Sequence, residues 1–285
     1  MKRVFLVLSF VAILALSACN IDTLSKIDAR TEDISIAYPD ADALTLELVI
    51  SASGDVNVNG GGDMFVAGTV KYNVREWEPI IAREGDTVRI AQGEGAHGIP
   101  PRDAQNVWDL RLGDTVPFAL DVRYGVGDGD WELGALPITD LNFEMGAGDN
   151  ELAFGAPNPA TMATLRIDGG VGDLRVRDLL NANAQYVDVA AGVGDIVLEF
   201  DGEALGQSIE VSIEGGVGNI TIKVDRDVPA RVVMSEEGVG SVNLRGAFAR
   251  RSGGYETPAY AEAGDAAKIE IEMSLGVGSI TLNTR

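Results

Sequence analysis

Gly192-Val193-Gly194-Asp195 decides how this chain is read, because close copies recur from Gly125 to Ser279 with apolar residues arranged the same way around each. The copies read GVGD at 125–128, GAGD at 146–149, GVGD at 170–173 and 192–195, GVGN at 216–219, and GVGS at 238–241 and 276–279. Measured at their fourth residues (128, 149, 173, 195, 219, 241 and 279), the steps are 21, 24, 22, 24, 22 and 38 residues. A period of that size means stacked supersecondary units, none of which buries its apolar face alone. The long last step reads as a unit carrying an insertion. A fainter copy, Ala52-Ser53-Gly54-Asp55, lies far upstream.

Parity within a unit says how the chain runs. Val187 and Val189 alternate with polar residues ahead of the turn, and Ile196, Leu198 and Phe200 alternate after it. These are period-2 strands. Apolar positions are odd before the turn, Val193 included, and even after it, so the inward face is predicted to change parity between Val193 and Ile196, leaving Glu199 pointing outward. The same flip separates Leu165, Ile167 and Val171 from Leu174 and Val176, and Ile269, Ile271, Met273 and Val277 from Ile280 and Leu282. Glycine suits such a corner because a sharp bend needs positive φ and close backbone approach, and Asp, Asn or Ser can bond to neighbouring backbone.

Two strands and two corners per unit, with no helical stretch between, predict an all-β fold. The favoured form is a single-chain parallel β-solenoid of GxG[DNS] repeats, each coil about 4.8 Å above the last, with a more irregular β-rich N-terminal part. An antiparallel meander, with each GxGD as a hairpin turn, is the alternative.

At 285 residues, with 46% hydrophobic residues, the chain is long enough for one large β domain or two smaller ones. Its formal net charge of −22 repels phosphate backbones, which argues against nucleic acid as a partner. Met1-Lys2-Arg3 is a basic start, Val4 to Leu16 is apolar apart from Ser9, and Leu16-Ser17-Ala18-Cys19 closes the segment. That is the pattern of a secretion signal, short for a membrane span. LSAC looks like the lipobox of bacterial lipoproteins, in which cleavage leaves the Cys N-terminal and lipid-modified. Cys19 is the only Cys, so the mature chain cannot form an internal disulfide, and lipidation is the expected use of its thiol. Acyl tails at about 0.8 kcal/mol per buried CH₂ would hold the protein on a membrane.

The domain reading is therefore a signal peptide at 1–19, a polar tether at 20–43, an irregular N-terminal β region at 44–124 and the repeat solenoid at 125–285. Within the N-terminal region, strands are predicted over Leu44 to Val58, Phe65 to Val74, Thr87 to Gln92, Asn106 to Leu112 and Pro117 to Tyr124, with Gly85-Asp86 as a turn and Gly93 to Pro101 as a loop. Gly246 to Asp265 reads as an exposed excursion.

The runs Gly68-Thr69-Val70-Lys71-Tyr72-Asn73, Trp77-Glu78-Pro79, Trp108-Asp109-Leu110 and Val116-Pro117-Phe118 resemble the N-terminal half of the bacterial toastrack family. Leu136-Pro137-Ile138-Thr139 and Asn158-Pro159-Ala160-Thr161-Met162, between GxGD turns, add to the resemblance. This half is similar to the domain that accompanies the LiaF-type, cell-wall-active-antibiotic-response proteins. The resemblance spans about residues 44 to 285 and implies an all-β, envelope-associated protein, in the LiaF type linked to envelope-stress sensing through a two-component system. The chain departs from that type in having a lipid anchor in place of a run of transmembrane helices.

Catalysis finds little support. His97, the only His, stands in a Gly/Pro-rich loop, so no His-based triad or His-ligated zinc site of the usual kind can be built. The GxGxxG-like turns are followed by strands, whereas a dinucleotide fingerprint needs a helix there. Asp128, Asp149, Asp173 and Asp195 would stack in a file in a solenoid, which makes them calcium candidates, since a cation relieves repulsion of about 1 kcal/mol between carboxylates 5 Å apart in water. Calcium-binding β-rolls, however, use GGxGxD at a roughly nine-residue period. Asp capping its own turn is the competing reading, and no cofactor or metal is expected. The aromatic candidates for binding are Trp77, Trp108, Trp131, Tyr255 and Tyr260, of which Trp108 and Trp131 fit strand patterns as core. The expected protein is a non-catalytic, lipid-anchored envelope protein on the extracytoplasmic side, partnered by the membrane through its lipid and by an envelope protein or glycan. It would serve as an envelope-stress sensory or accessory module, or alternatively as an adhesin-like solenoid binding glycan, protein or its own copies.

Overall fold

The structure is a computed structural model that describes residues 24–93, 99–203, 205–235, 239–251 and 253–285. The N-terminal strands are β1 (Lys26–Ile36), β2 (Leu44–Ser53), β3 (Asp55–Gly62), β4 (Val66–Val74), β5 (Ile80–Glu84), β6 (Thr87–Gln92) and β7 (Asn106–Gly113). Four coils follow as strand pairs: β8 (Phe118–Val126) with β9 (Gly129–Glu132), β10 (Ile138–Ala147) with β11 (Asn150–Ala153), β12 (Met162–Val171) with β13 (Leu174–Arg177), and β14 (Ala184–Val193) with β15 (Ile196–Phe200). In β16 (Ile209–Val224) both arms of a coil form one long strand, as they do in β21 (Ile269–Thr284). Between these come β17 (Ala230–Met234), β18 (Val239–Arg245), β19 (Ala249–Arg251), β20 (Gly254–Glu256) and the short helix α1 (Pro258–Glu262).

The arms ahead of the GxG corners stack in parallel as face A, in the order β6, β2, β8, β10, β12, β14, β16, β21, β17. The arms after the corners stack in parallel as face B, in the order β7, β3, β9, β11, β13, β15, β16, β21, β18. Parallel pairing of consecutive coils is the solenoid and excludes the meander. Antiparallel strands finish the ends: β5 beyond β6, β1 and β4 beyond β7, and the β19–β20 hairpin beyond β17.

Inward side chains from both faces form one core. Trp131 meets Phe143 edge-on with ring centroids 4.9 Å apart, and its Nε1 donates to Asn150 Oδ1 at 3.3 Å. At the N-terminal end Trp108 Nε1 donates to Gln92 Oε1 at 3.1 Å, so its polar edge is satisfied in a buried site. The corners opposite the glycines are tied by buried asparagines: Asn158 Nδ2 donates to the carbonyls of Ile138 and Ala182, and Asn181 Nδ2 to that of Phe154.

Each glycine corner is a rung in a backbone ladder. Gly194 N donates to Val217 O at 2.9 Å, and Gly172 N to Val193 O at 2.9 Å. Gly194 has φ +144°, and a β-carbon on it would overlap the Gly172 carbonyl oxygen and stand 2.6 Å from its carbon. The corner therefore requires glycine both for conformation and for coil spacing.

Four sequence expectations are corrected. The coils do not follow sequence order at the C-terminal end, because β21 lies between β16 and the later-stacked pair β17 and β18. The 38-residue step is the path out to the terminal coil and back into the gap, and the 246–265 excursion holds a hairpin and α1 with Phe248 and Thr257 buried. Next, Val126, Val171, Val193, Val217 and Val277 point outward, each 49% to 56% exposed. The chain has begun to bend at the glycine before each valine, so the parity flip comes ahead of Val193. Third, Lys26–Ile36, expected within the tether, is strand β1, with Ile34 and Ile36 buried and its charges along an exposed edge. Fourth, Glu199 does leave the core side of its strand but is only 5% exposed, because Arg175, Lys223 and Arg285 cover it.

Candidate functional site

The stack turns sequence repeats into straight files of side chains, and three files carry chemistry. The first is the aspartate file at the glycine corner. Asp128 Oδ1 accepts from Asp149 N at 3.0 Å, Asp149 Oδ1 from Asp173 N at 2.9 Å, and Asp173 Oδ1 from Asp195 N at 2.9 Å. Asp195 Oδ1 in turn accepts from both Asn219 N and Asn219 Nδ2 at 2.9 Å. Each carboxylate thus caps the next coil's backbone and not its own turn, which corrects the own-turn reading. The bond is charge-assisted and repeats at every step, which accounts for Asp in this place without a ligand. Among the described residues, no three His, Cys, Asp or Glu side chains converge as a metal site. We expect millimolar Ca²⁺ to leave the melting temperature unchanged; a rise that vanishes in Asp173→Asn would show a cation bound to the folded file.

The second file is an ion-pair ladder on face B centred on Glu199. Its carboxylate takes Lys223 Nζ at 2.9 Å, Arg175 Nη1 at 3.0 Å and Arg285 Nη2 at 2.6 Å, and Arg285 also pairs with Asp201 at 2.5 Å. Burial opposes ionisation of Glu199, but the hydrogen bonds from Lys223 and Arg285 outweigh it and hold the carboxyl below the usual range. The group is saturated by its partners, and it fastens the C-terminal Arg285 onto the earlier coils.

The third is a depression of about 670 Å³ on face A, around Tyr186. Tyr186 is 51% exposed and stands in register between Thr164 and Glu210. Arg166, Asp188, Ser212 and Glu272 line the adjacent row, where Arg166 Nε meets Asp188 Oδ2 at 3.2 Å. At one margin Tyr260 donates its hydroxyl to Glu270, a bond that pushes the phenol pKa up with burial adding to it, and Lys268 Nζ lies 5.1 Å from the Tyr260 ring centroid. An exposed aromatic face flanked by carboxylates and a guanidinium offers stacking and directional hydrogen bonds to a polar ligand.

Of the aromatic candidates, Trp77, Trp108 and Trp131 are all buried and belong to the core, while Tyr255 and Tyr260 are partly exposed. Cys19 and His97 lie outside the described residues. Tyr186 was missed, although its signal is present: it is an even position in a strand whose odd residues Val187 and Val189 face inward.

Structural comparison finds folds that align over most of the chain. A candidate cell adhesion protein of Clostridium sporogenes aligns at 21% identity, covering 90% of this chain and 100% of its own, with a TM-score of 0.48. A candidate adhesin of Bacteroides fragilis aligns at 15% identity over 92% and 99%, with a TM-score of 0.43. A candidate lipid-binding protein of Parabacteroides distasonis aligns at 12% identity over 93% and 99%, with a TM-score of 0.33. No curated protein matches the chain. Residues 25–177 match the family model for the N-terminal domain of toast_rack, DUF2154. The match runs from β1 through the coil of β12 and β13, more than half of the sequence, and the chain belongs to the toast_rack family.

Proposed function

We propose that this is a non-catalytic, lipid-anchored protein of the bacterial envelope, an accessory or sensory module that binds a glycan or protein partner on face A. The observation that carries the reading is Tyr186, a half-exposed aromatic held in register on a rigid parallel sheet beside Arg166, Asp188 and Glu210. Such a platform recognises a polar ligand without reorganising, since its neighbours are fixed by the ladder above and below. The strongly acidic surface suits an extracytoplasmic partner that is not a nucleic acid.

Tyr186→Ala is the test of the site. The full-length variant should lose retention on purified cell-wall material and should alter an envelope-stress reporter as gene deletion does. Wild-type behaviour in both assays would reject face A as the functional surface. Retention lost with the reporter unchanged would favour the second reading, an adhesin-like protein, for which the same exposed platform is the supporting observation.

Anchoring rests on LSAC and the single Cys. Cys19→Ser is expected to move the protein from the detergent phase to the aqueous phase. Unchanged partitioning would place the anchor elsewhere.

A further inference from the structure

The four edge strands of the solenoid are protected unequally. β1 at the N-terminal edge of face B carries Lys26, Asp28, Arg30, Glu32 and Asp33 along its eleven residues. On face A, β5 is five residues ending in Arg83-Glu84, and β19 is only three. Charge and brevity are the usual means of blunting an edge against further pairing. β18 has neither, being seven residues, VGSVNLR, with a single charge at its end. Among the described residues it pairs only with β21, so its other side is a row of unpaired backbone donors and acceptors.

The core is unfinished at the same place. Leu244 is in register with Leu282, which is fully buried, yet Leu244 is 41% exposed, and Val242 is half-buried beside a buried Ile280. Across the coil, the end of face A is closed by β20, which pairs with β17, and Thr257 and Phe248 of the same excursion are buried. Face B has no equivalent among the described residues.

We propose that β18 is a strand-addition site that takes an extended, acidic segment of a partner protein. Main-chain pairing would satisfy the edge, and apolar side chains on one face of the segment would cover Val242 and Leu244. The acidic character follows from charge. The outermost strands β18 and β19 hold Arg245, Arg250 and Arg251, all exposed, and no carboxylate, within a chain of net charge −22. Those three arginines favour an acidic segment at this end of a predominantly acidic chain. A second copy fits less well: its free edge β1 interleaves three acids with two bases and is close to neutral, and its own β18 brings Arg245 and no acid.

The test uses a fluorescent synthetic peptide of about nine residues alternating valine with glutamate, added to the full-length chain in detergent micelles and followed by anisotropy. Saturable binding in the micromolar range is expected. Leu244→Lys and Arg245→Glu should each weaken it about tenfold or more, as should replacing the peptide glutamates by lysine, whereas Asp33→Lys at the opposite edge should change nothing. Both β18 variants alter exposed side chains, and unchanged melting temperatures would show that they fold. Absence of saturable binding, equal binding of the lysine peptide, or indifference to both variants would overturn the proposal. So would sedimentation showing that β18 is occupied by a second copy, as a dimer that Leu244→Lys dissociates.

Discussion

Gly194→Val is expected to destabilise the protein by at least about 3 kcal/mol in denaturant unfolding, enough to consume much of the stability of an ordinary domain. Two costs add. The corner conformation at φ +144° is one that L-residues rarely adopt, at about 1 to 3 kcal/mol. The new side chain would also overlap the Gly172 carbonyl, forcing two coils apart where Gly172 N bonds to Val193 O. Val193→Thr is the matched control, since that side chain is half exposed, and it should move stability by no more than about 0.5 kcal/mol. Equal, small effects at both positions would mean that the corners are ordinary loops.

Glu199→Val should cost about 2 kcal/mol, although the position alternates outward between Leu198 and Phe200. Removing the carboxylate leaves Lys223, Arg175 and Arg285 facing one another. The penalty for stranding buried charge applies, reduced because Arg175 and Arg285 keep substantial solvent contact. The effect carries a pH signature. The folded pKa of Glu199 lies below that of an ordinary glutamate, so its contribution is present above the unfolded value of about 4.3 and is lost as pH falls through the folded value. The stability gap between wild type and Glu199→Gln should therefore be widest near neutral pH and close in the acid range. A gap independent of pH would mean that Glu199 acts by packing alone.

Much of this fold was legible because the solenoid writes its period into the chain. Leu165, Ile167, Leu174 and Val176 repeat as Val187, Val189, Ile196 and Leu198, and the structure pairs them rung for rung. What escaped were features set by position in the stack and not by local pattern. Nothing in VGSVNLR says that a later segment will slip in beside its predecessor, because both Ala230–Met234 with Val239–Arg245 and Ile269–Thr284 offer alternating apolar residues ahead of and after a GVGS corner. β1 reads as polar tether because an edge strand buries only part of one face, here chiefly Ile34 and Ile36. The outward valines misled because apolar character usually marks the core, and Glu199 misled because the partners that bury it come from residues 175, 223 and 285. At the candidate site the rule that mattered was parity alone: it places Tyr186 outward and Trp108 and Trp131 in the core, whereas Trp77, outside any strand pattern, is buried by tertiary packing.

The order of the last coils is tested most directly by disulfide cross-linking in a Cys19→Ser background. Thr221 is in register with Thr281, and Thr281 with Asn243, all on outward positions of face B. Adjacent parallel strands lie about 4.8 Å apart, within disulfide reach, whereas strands two coils apart, at about 10 Å, are beyond it. The pair Thr221→Cys with Thr281→Cys should therefore oxidise readily to a cross-linked, folded chain, and Thr221→Cys with Asn243→Cys should not. Ready cross-linking of 221 to 243 and none of 221 to 281 would mean that the coils follow sequence order, and would contradict both the inserted C-terminal coil and the open edge at β18.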